Sequence, residues 1–412
     1  MSAAGAPSGA WLTLRVFLPF VAGYYVSHAF RSANALLGPQ IAAELGLGAA
    51  DLGLLTSVYF LAFALFQIPF GVLLDRYGPR RVDAGLLLAA AVGALVFALA
   101  PSFAALVAGR ALIGLGVSVC LMASFQAFVL WYPIERIATV NSRAFAIGTL
   151  GAITVSVPLE VALRLADWRT ITVSFALVTL GASVAIFFAA PERERGAARD
   201  SLAAALGAIR LLLADAAFRR IAAMLSASQC AAMSLSTLWI ATWLRDVAGY
   251  DRVAVGRALL AVGIALIAGF LVFGRMADAR ARRGASTLAL VAGGVALSSA
   301  CLALLALGVT TGALALWAGF TFSSTAATLA YSILTRRFPK EMAGRVNTTL
   351  NTFVFLAIFL GQWAVGLVLE RWPGSEAGYA PEAYGWALGA LWLIQAAGLS
   401  WFWSGRRLFS SQ

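Results

Sequence analysis

Apolar residues run along this chain in long stretches of about 20 residues or more, broken by short polar segments. A helix rises about 1.5 Å per residue, so each stretch matches the roughly 30 Å of hydrocarbon in a bilayer. The pattern predicts twelve helical spans, at 12–37, 51–74, 82–100, 103–130, 140–163, 170–190, 218–244, 253–274, 285–307, 311–335, 345–370 and 384–403. Short segments of alternating polarity, the mark of a transmembrane β-barrel, do not occur. The first apolar stretch lacks a small-residue cleavage site after a short core, so it is expected to remain as a helix. The expected fold class is an all-α membrane protein.

Composition supports this reading. Of 412 residues 61% are hydrophobic and 12% charged, more apolar side chain than a soluble domain of this length buries. Charge is distributed unevenly between the two sides. The connections after the even-numbered spans carry Arg76, Arg80, Arg81, Arg136, Arg193, Arg195, Arg199, Arg210, Arg275, Arg280, Arg282, Arg283, Arg336, Arg337 and Lys340. The opposite side offers mainly Arg164, Arg169, Arg245, Arg252 and Arg371. Basic loops stay inside, so a multi-pass inner-membrane protein with both termini cytoplasmic is expected. The net charge of +12 then faces an anionic leaflet, and no nucleic-acid partner is needed to explain it. Cys120, Cys230 and Cys301 fall inside apolar spans, which argues against a disulfide framework.

The chain also repeats itself. GVLLDRYGPRR at 71–81 is echoed by GRMADARARRG at 274–284, so that Gly71, Asp75 and Arg80 recur as Gly274, Asp278 and Arg283 at an offset of 203. WYPIERIATVN at 131–141 is echoed by RFPKEMAGRVN at 337–347, with an offset of 206 at Pro133, Glu135, Val140 and Asn141. Two six-helix halves follow, residues 1–190 and 218–412, joined by a charged cytoplasmic connector at 191–217.

At these residues the chain resembles the major facilitator superfamily over essentially its whole length. The family's loop between helices two and three has the form G-x-x-x-D-R-x-G-x-R-R, filled here by Gly71, Asp75, Arg76, Gly78, Arg80 and Arg81. Its helix-four arginine before closely spaced glycines is matched by Arg110, Gly114 and Gly116 in RALIGLG. The resemblance implies a secondary transporter that rocks two halves about a central site, with the loop motif as a latch. Asp75 would accept from a helix N-terminus or an arginine, and Arg80 and Arg81 would hold carboxylates. The bland alternative is that these arginines only set topology.

The eighteen carboxylates all fall in loops or near helix ends by these boundaries, with Glu160 alone a turn inside an apolar helix. No acid is therefore expected at the membrane midplane. The resemblance makes that matter, because cation and drug exporters of the family place an acid there. The glycine-rich helix-five motif of the drug antiporters is also missing, since GTLGAITVSVP supplies only Gly148, Gly151 and Pro158.

Helix one differs. In YYVSHAFRSANALLGPQ at 24–40, the residues Tyr24, His28, Arg31 and Asn34 share one helical face. A charge in lipid costs at least about 2.5–3.5 kcal/mol, so the stripe is expected to face the cavity between the halves. Arg31 has three readings: a fork of donors for an anionic substrate, a gate or structural partner of Glu160, or a snorkelling surface charge. The resemblance to the family's organic-anion exchangers, whose helix one ends in an arginine followed by an asparagine and a proline, implies the first. Their second arginine, in helix seven, is absent; Met233 or Ser234 stands there. One arginine suits a singly charged anion better than a phosphate ester. His28 and Glu160 are the candidates for proton coupling, with a neutral His28 held inside the stripe as the alternative.

Gln229 and Asn351 are the other candidate substrate contacts, although buried amides often serve only to join helices. Uptake or exchange of a small organic anion is the expected function. Proton-coupled efflux of drugs or metabolites, and uptake of copper or a vitamin, are alternatives. For copper the soft ligands would be Met224, Cys230 and Met233, with Cys120 and Met122, but core packing is the default for them. No metal-ligand, nucleophile or P-loop motif points to an enzyme, and no cofactor is implied. The expected partners are a small-molecule substrate and the lipid bilayer, with the chain acting as a monomer.

Overall fold

The computed structural model describes residues 8–155, 157–192, 202–339, 342–372 and 378–409. Part of the expected connector, 193–201, and Lys340 and Glu341 of the second echo lie outside the described residues.

The N-terminal half opens with α1, Gly9–Leu45, which runs eight residues past the predicted end of the apolar run and is closed by Gly46 in the left-handed conformation. Pro39 sits within it without ending the helix. Next comes α2, Ala49–Ala98, a helical track of 50 residues that contains both the second and third expected spans. Its break is at Gly78, where φ 80 and ψ 160 turn the chain in a conformation that a side chain would strain. That glycine sits inside the loop motif, so its place there has a backbone reason. Then follow α3, Phe103–Trp131, α4, Ile134–Thr154, α5, Val157–Leu165, and α6, Trp168–Ala189. The fifth expected span is thus two pieces, α4 and α5.

After the connector helix α7, Leu202–Ala214, the second half repeats the plan with α8, Ala216–Asp246, α9, Arg252–Arg282, α10, Leu288–Ala306, α11, Ala313–Thr335, α12, Ala343–Leu369, and α13, Pro381–Ser404. Among the described residues nine helices are long and apolar enough to cross a membrane. Counting the two limbs of α2, the α4–α5 pair and α13 gives the twelve expected spans. Large apolar side chains stay exposed on the outside of the bundle, among them Leu65, Leu177, Phe188 and Leu393, as a surface facing lipid requires.

The halves meet along three seams: α1 against α8, α2 against α12, and α4 and α5 against α9. At the end of the bundle away from the basic loops the contact is backbone to backbone. A methyl added at Gly53 would lie 3.0 Å from the Gln362 carbonyl oxygen, and one at Gly366 would collide with the Ala49 carbonyl. Gln362 also fastens α12 to α8, its Oε1 accepting from Thr237 at 3.2 Å and its carbonyl from the Trp239 indole at 3.3 Å. This non-basic end of the bundle is shut.

At the basic end the loop motif makes contacts within its own half, with Arg80 and Arg81 holding a carboxylate as expected. Asp75 accepts from Gln126 at 2.8 Å, and Arg81 and Arg80 reach Glu192 at 2.6 and 3.5 Å. Arg80 also donates to the Phe187 carbonyl at 2.8 Å, and Arg76 lies over the Tyr77 ring. Gln126 is on α3 and Glu192 follows α6, so these contacts brace the N-terminal half internally. In the second half, no described residue forms an ion pair with Asp278 or Arg283; the ordered counterpart is instead Asp215 with Arg337, whose closest contact is 2.9 Å.

Asp215 also caps α8, accepting from the Phe218 amide at 2.8 Å. Burial opposes its charge, but the Arg337 bonds outweigh that and hold its carboxyl below the usual range. A depressed acid stabilises the fold above its unfolded value of about 3.9 and loses that contribution as pH falls through the lower folded value. Thermal unfolding in detergent therefore should show a smaller gap between wild type and Asp215→Asn at pH 3 than at pH 7, since asparagine keeps the cap but not the ion pair. A gap unchanged with pH would contradict this.

Candidate substrate site

Helix α1 runs through the middle of the molecule, touching α3, α4 and α6 in its own half and α8 across the seam. It crosses α8 at a short π-helical segment, Leu235–Trp239. Such segments shift the register of side chains and recur at functional sites.

Because α1 extends to Leu45, Arg31 lies only four residues beyond its midpoint, about 6 Å. Its guanidinium stacks over Phe63 of α2 at 5.4 Å, and Phe63 packs on Phe355 of α12 at 4.8 Å. The cation therefore stands over an aromatic pair that bridges the two halves. Its Nε is buried and has no acceptor, and no described carboxylate pairs with it. The alternative pairing with Glu160 does not form: Glu160 takes Arg252 of α9 at 2.7 Å and Arg164 at 4.0 Å.

The rest of the stripe divides. His28 meets the Tyr24 ring edge-on at 4.7 Å, and its Nε2 is buried without a partner. Tyr24 packs against Phe145 of α4, where a side chain at Gly148 would strike the Tyr24 ring. Gly148 and Gly151, read in the sequence only as a broken motif, are thus where α1 and α4 approach most closely. Asn34 is committed to structure, its amide donating to Thr56 of α2 at 3.0 Å with 1% of the residue exposed. Gln229 is half-buried on α8, and Asn351 of α12 accepts from the Tyr331 hydroxyl at 2.5 Å. Trp239 and Trp317 are fully buried.

Arg110 holds the site from behind. It is 2% exposed, donates to the Phe30 carbonyl at 3.1 Å and lies over Tyr59 at 4.9 Å. Tyr59 in turn donates to the Ser27 carbonyl at 3.1 Å. Both bonds grip the α1 backbone beside His28 and Arg31, so the helix-four arginine orients the stripe. Asp83 stands at the edge of an expected span and carries no sequence signal of a buried position. The break at Gly78 starts the second limb of α2 just before it, and Asp83 ends up fully buried beside the Cys120 thiol and near Gly23. This corrects the expectation that only Glu160 lies inside an apolar helix. Asp83 is nevertheless packed inside the N-terminal half rather than at a seam.

The sequence profile described as Major Facilitator Superfamily matches residues 20–362. The chain belongs to the major facilitator superfamily. The fold agrees: a solved bacterial homologue of the human lysosomal transporter Spinster, in an inward-facing and occupied conformation, superposes with a TM-score of 0.80 at 16% identity, covering 97% of this chain and 98% of the other. Among curated relatives, the probable sulfoacetate transporter SauU of Cupriavidus necator is 27% identical over 55% of this chain and 56% of its own length. The chloramphenicol resistance protein of Streptomyces lividans is 30% identical over 61% of this chain and 63% of its own. The chain thus spans less than two thirds of the length of these relatives. As a superfamily member it is a multi-pass membrane protein, and its relatives are transporters.

Proposed function

We propose that this chain is a secondary transporter of the inner membrane that carries a small organic anion by alternating access, with the basic loops and both termini on the cytoplasmic side. The observation that carries the reading is Arg31: a guanidinium deep in the bundle, on an aromatic pair joining the halves, with no described carboxylate to neutralise it. A half-buried cation inside the bundle is costly unless paired, so an anion that enters and leaves with the transport cycle is the natural counter-charge. Tyr24 and His28 share the Arg31 face of α1, Asn34 is hydrogen-bonded to Thr56, and Gln229 of α8 and Asn351 of α12 are proposed as further polar contacts to the anion. Arg31 offers one guanidinium fork to an acidic group. The relative named for sulfoacetate supports the organic-anion class, although that anion carries two acidic groups, a sulfonate and a carboxylate.

His28 is the proposed proton carrier if transport is proton-coupled, because its unpartnered ring nitrogen adjoins Arg31's face of α1. The test is uptake into proteoliposomes of labelled sulfoacetate, other carboxylates, inorganic phosphate, vitamins, chloramphenicol and Cu(I), with and without a pH gradient. Saturable uptake of an organic anion, stimulated by the gradient if His28 couples, is the expected result. Export of chloramphenicol alone, or saturable copper transport without organic competition, overturns it.

A further inference from the structure

Directly beyond Arg31, at the shut non-basic end, lies a cavity of about 290 Å³ between α1, α5, α8 and α9. Its floor begins at Ala35, one turn past Arg31 on α1, and its wall continues up that helix through Pro39 and Gln40. Three charged side chains converge on it: Glu160 from α5, Arg245 from α8 and Arg252 from α9. The two arginines are not equivalent. Arg245 is held by Asp246 at 2.6 Å, and Asp246 is itself anchored by the Tyr384 hydroxyl at 2.8 Å and the Tyr379 amide at 3.2 Å. Asp246 is 1% exposed, so this pair is a fixed wall.

Glu160 is 5% exposed and crosses the seam to Arg252, which is 53% exposed and reaches into the cavity. The contact is close, 2.7 Å, yet neither Glu160 oxygen accepts a well-aligned hydrogen bond. Arg164, the other cation near Glu160, stands off at 4.0 Å. Gly256 of α9 lies against the Glu160 methylenes, so the carboxylate is wedged between the halves by its stem rather than by its oxygens. A ligand oxygen offering Arg252 better geometry would take Glu160's place. Glu160 would keep Arg164 as a counter-charge on its own helix.

We propose that this cavity is an anion-capture site, in which a carboxylate or sulfonate displaces Glu160 from Arg252 and so releases the seam between the halves above Arg31. The arrangement rests on the anion-carrier reading and adds a first stop to it. Capture weakens the one described ion pair that joins α5 to α9 and places the anion one helical turn from the central arginine. Closure and occupancy are coupled, because Arg252 has a single partner at a time, Glu160 or the ligand.

The test separates the two sites by removing the central one. Spin labels at Leu165→Cys and Leu307→Cys, both exposed at the non-basic end, report the width of the seam in protein whose native cysteines are replaced. Sulfoacetate is expected to shift the label distances to a longer population in both the wild-type and Arg31→Ala backgrounds. Arg252→Gln is expected to abolish the response, and Glu160→Gln to give the longer population with no ligand. If sulfoacetate moves the labels only when Arg31 is present, or if Glu160→Gln stays shut, the capture site is wrong while the central site stands. If neither sulfoacetate nor any other anion of the uptake panel moves the labels in any background, the capture site and the anion-carrier reading fall together.

Discussion

Arg31→Ala is expected to weaken anion binding by more than about a hundredfold while leaving the protein folded. The estimate follows from the chemistry of the guanidinium. Each hydrogen bond to a charged group is worth about 1.5–3 kcal/mol, and a bidentate contact with a carboxylate or sulfonate loses two of them. Folding should survive because, among the described residues, none forms an ion pair with Arg31, and its described contact is the stacking over Phe63. Arg31→Lys keeps the charge but loses the planar fork and that stacking, so it is expected to bind at least about tenfold more weakly than wild type. Isothermal titration or tryptophan quenching in detergent, beside a thermal melt, measures both quantities. Two variants that bind and transport like wild type would remove Arg31 from the site.

Gly366→Leu is expected to lower turnover by a different route. The seam at the non-basic end depends on α2 and α12 touching through backbone, and any side chain at position 366 meets the Ala49 carbonyl. Overpacking of this kind costs about 1–3 kcal/mol, and the colliding atom is backbone that has no rotamer to yield. The shut arrangement bears that whole cost, whereas an arrangement in which the halves have parted there bears none. The population should therefore shift toward open by roughly five- to a hundredfold or more, with uptake falling accordingly. A cysteine at Leu52, which is 3% exposed, should become reactive to a membrane-impermeant thiol reagent in Gly366→Leu and stay protected otherwise. Equal protection in both would show that this contact does not hold the end closed.

The two variants fail in opposite ways, one losing ligand and keeping the motion, the other keeping the ligand site and losing one conformation. Measuring binding and accessibility on the same preparations separates them. It also bears on Asp83, whose position inside the N-terminal half keeps it out of either effect.

Much of this architecture was legible before any coordinates. Apolar length is a one-dimensional property, and hydrocarbon thickness turns it directly into spans; the repeat at offsets of 203 and 206 then pairs the halves. The stripe of Tyr24, His28 and Arg31 was legible for the same reason, since helical periodicity alone puts those residues on one face. Boundaries were less so. The apolar run of α1 stops at residue 37, but helical hydrogen bonding continues through Pro39 and a polar turn to Leu45. Asn34 shows the complementary difficulty: the sequence placed it near the stripe, but whether its amide faces a ligand or Thr56 depends on a neighbour 22 residues away.

The spans, their pairing into halves, the superfamily and a polar face on the first helix follow from local periodicity and motif spacing. Which charges meet follows from packing. Glu160 chose Arg252 over Arg31, Arg80 and Arg81 chose Glu192 within their own half, and Asp83 vanished into the interior. An ion pair forms between groups within a few ångströms of each other, and residues 92 positions apart acquire that proximity only when helices from different halves are packed together.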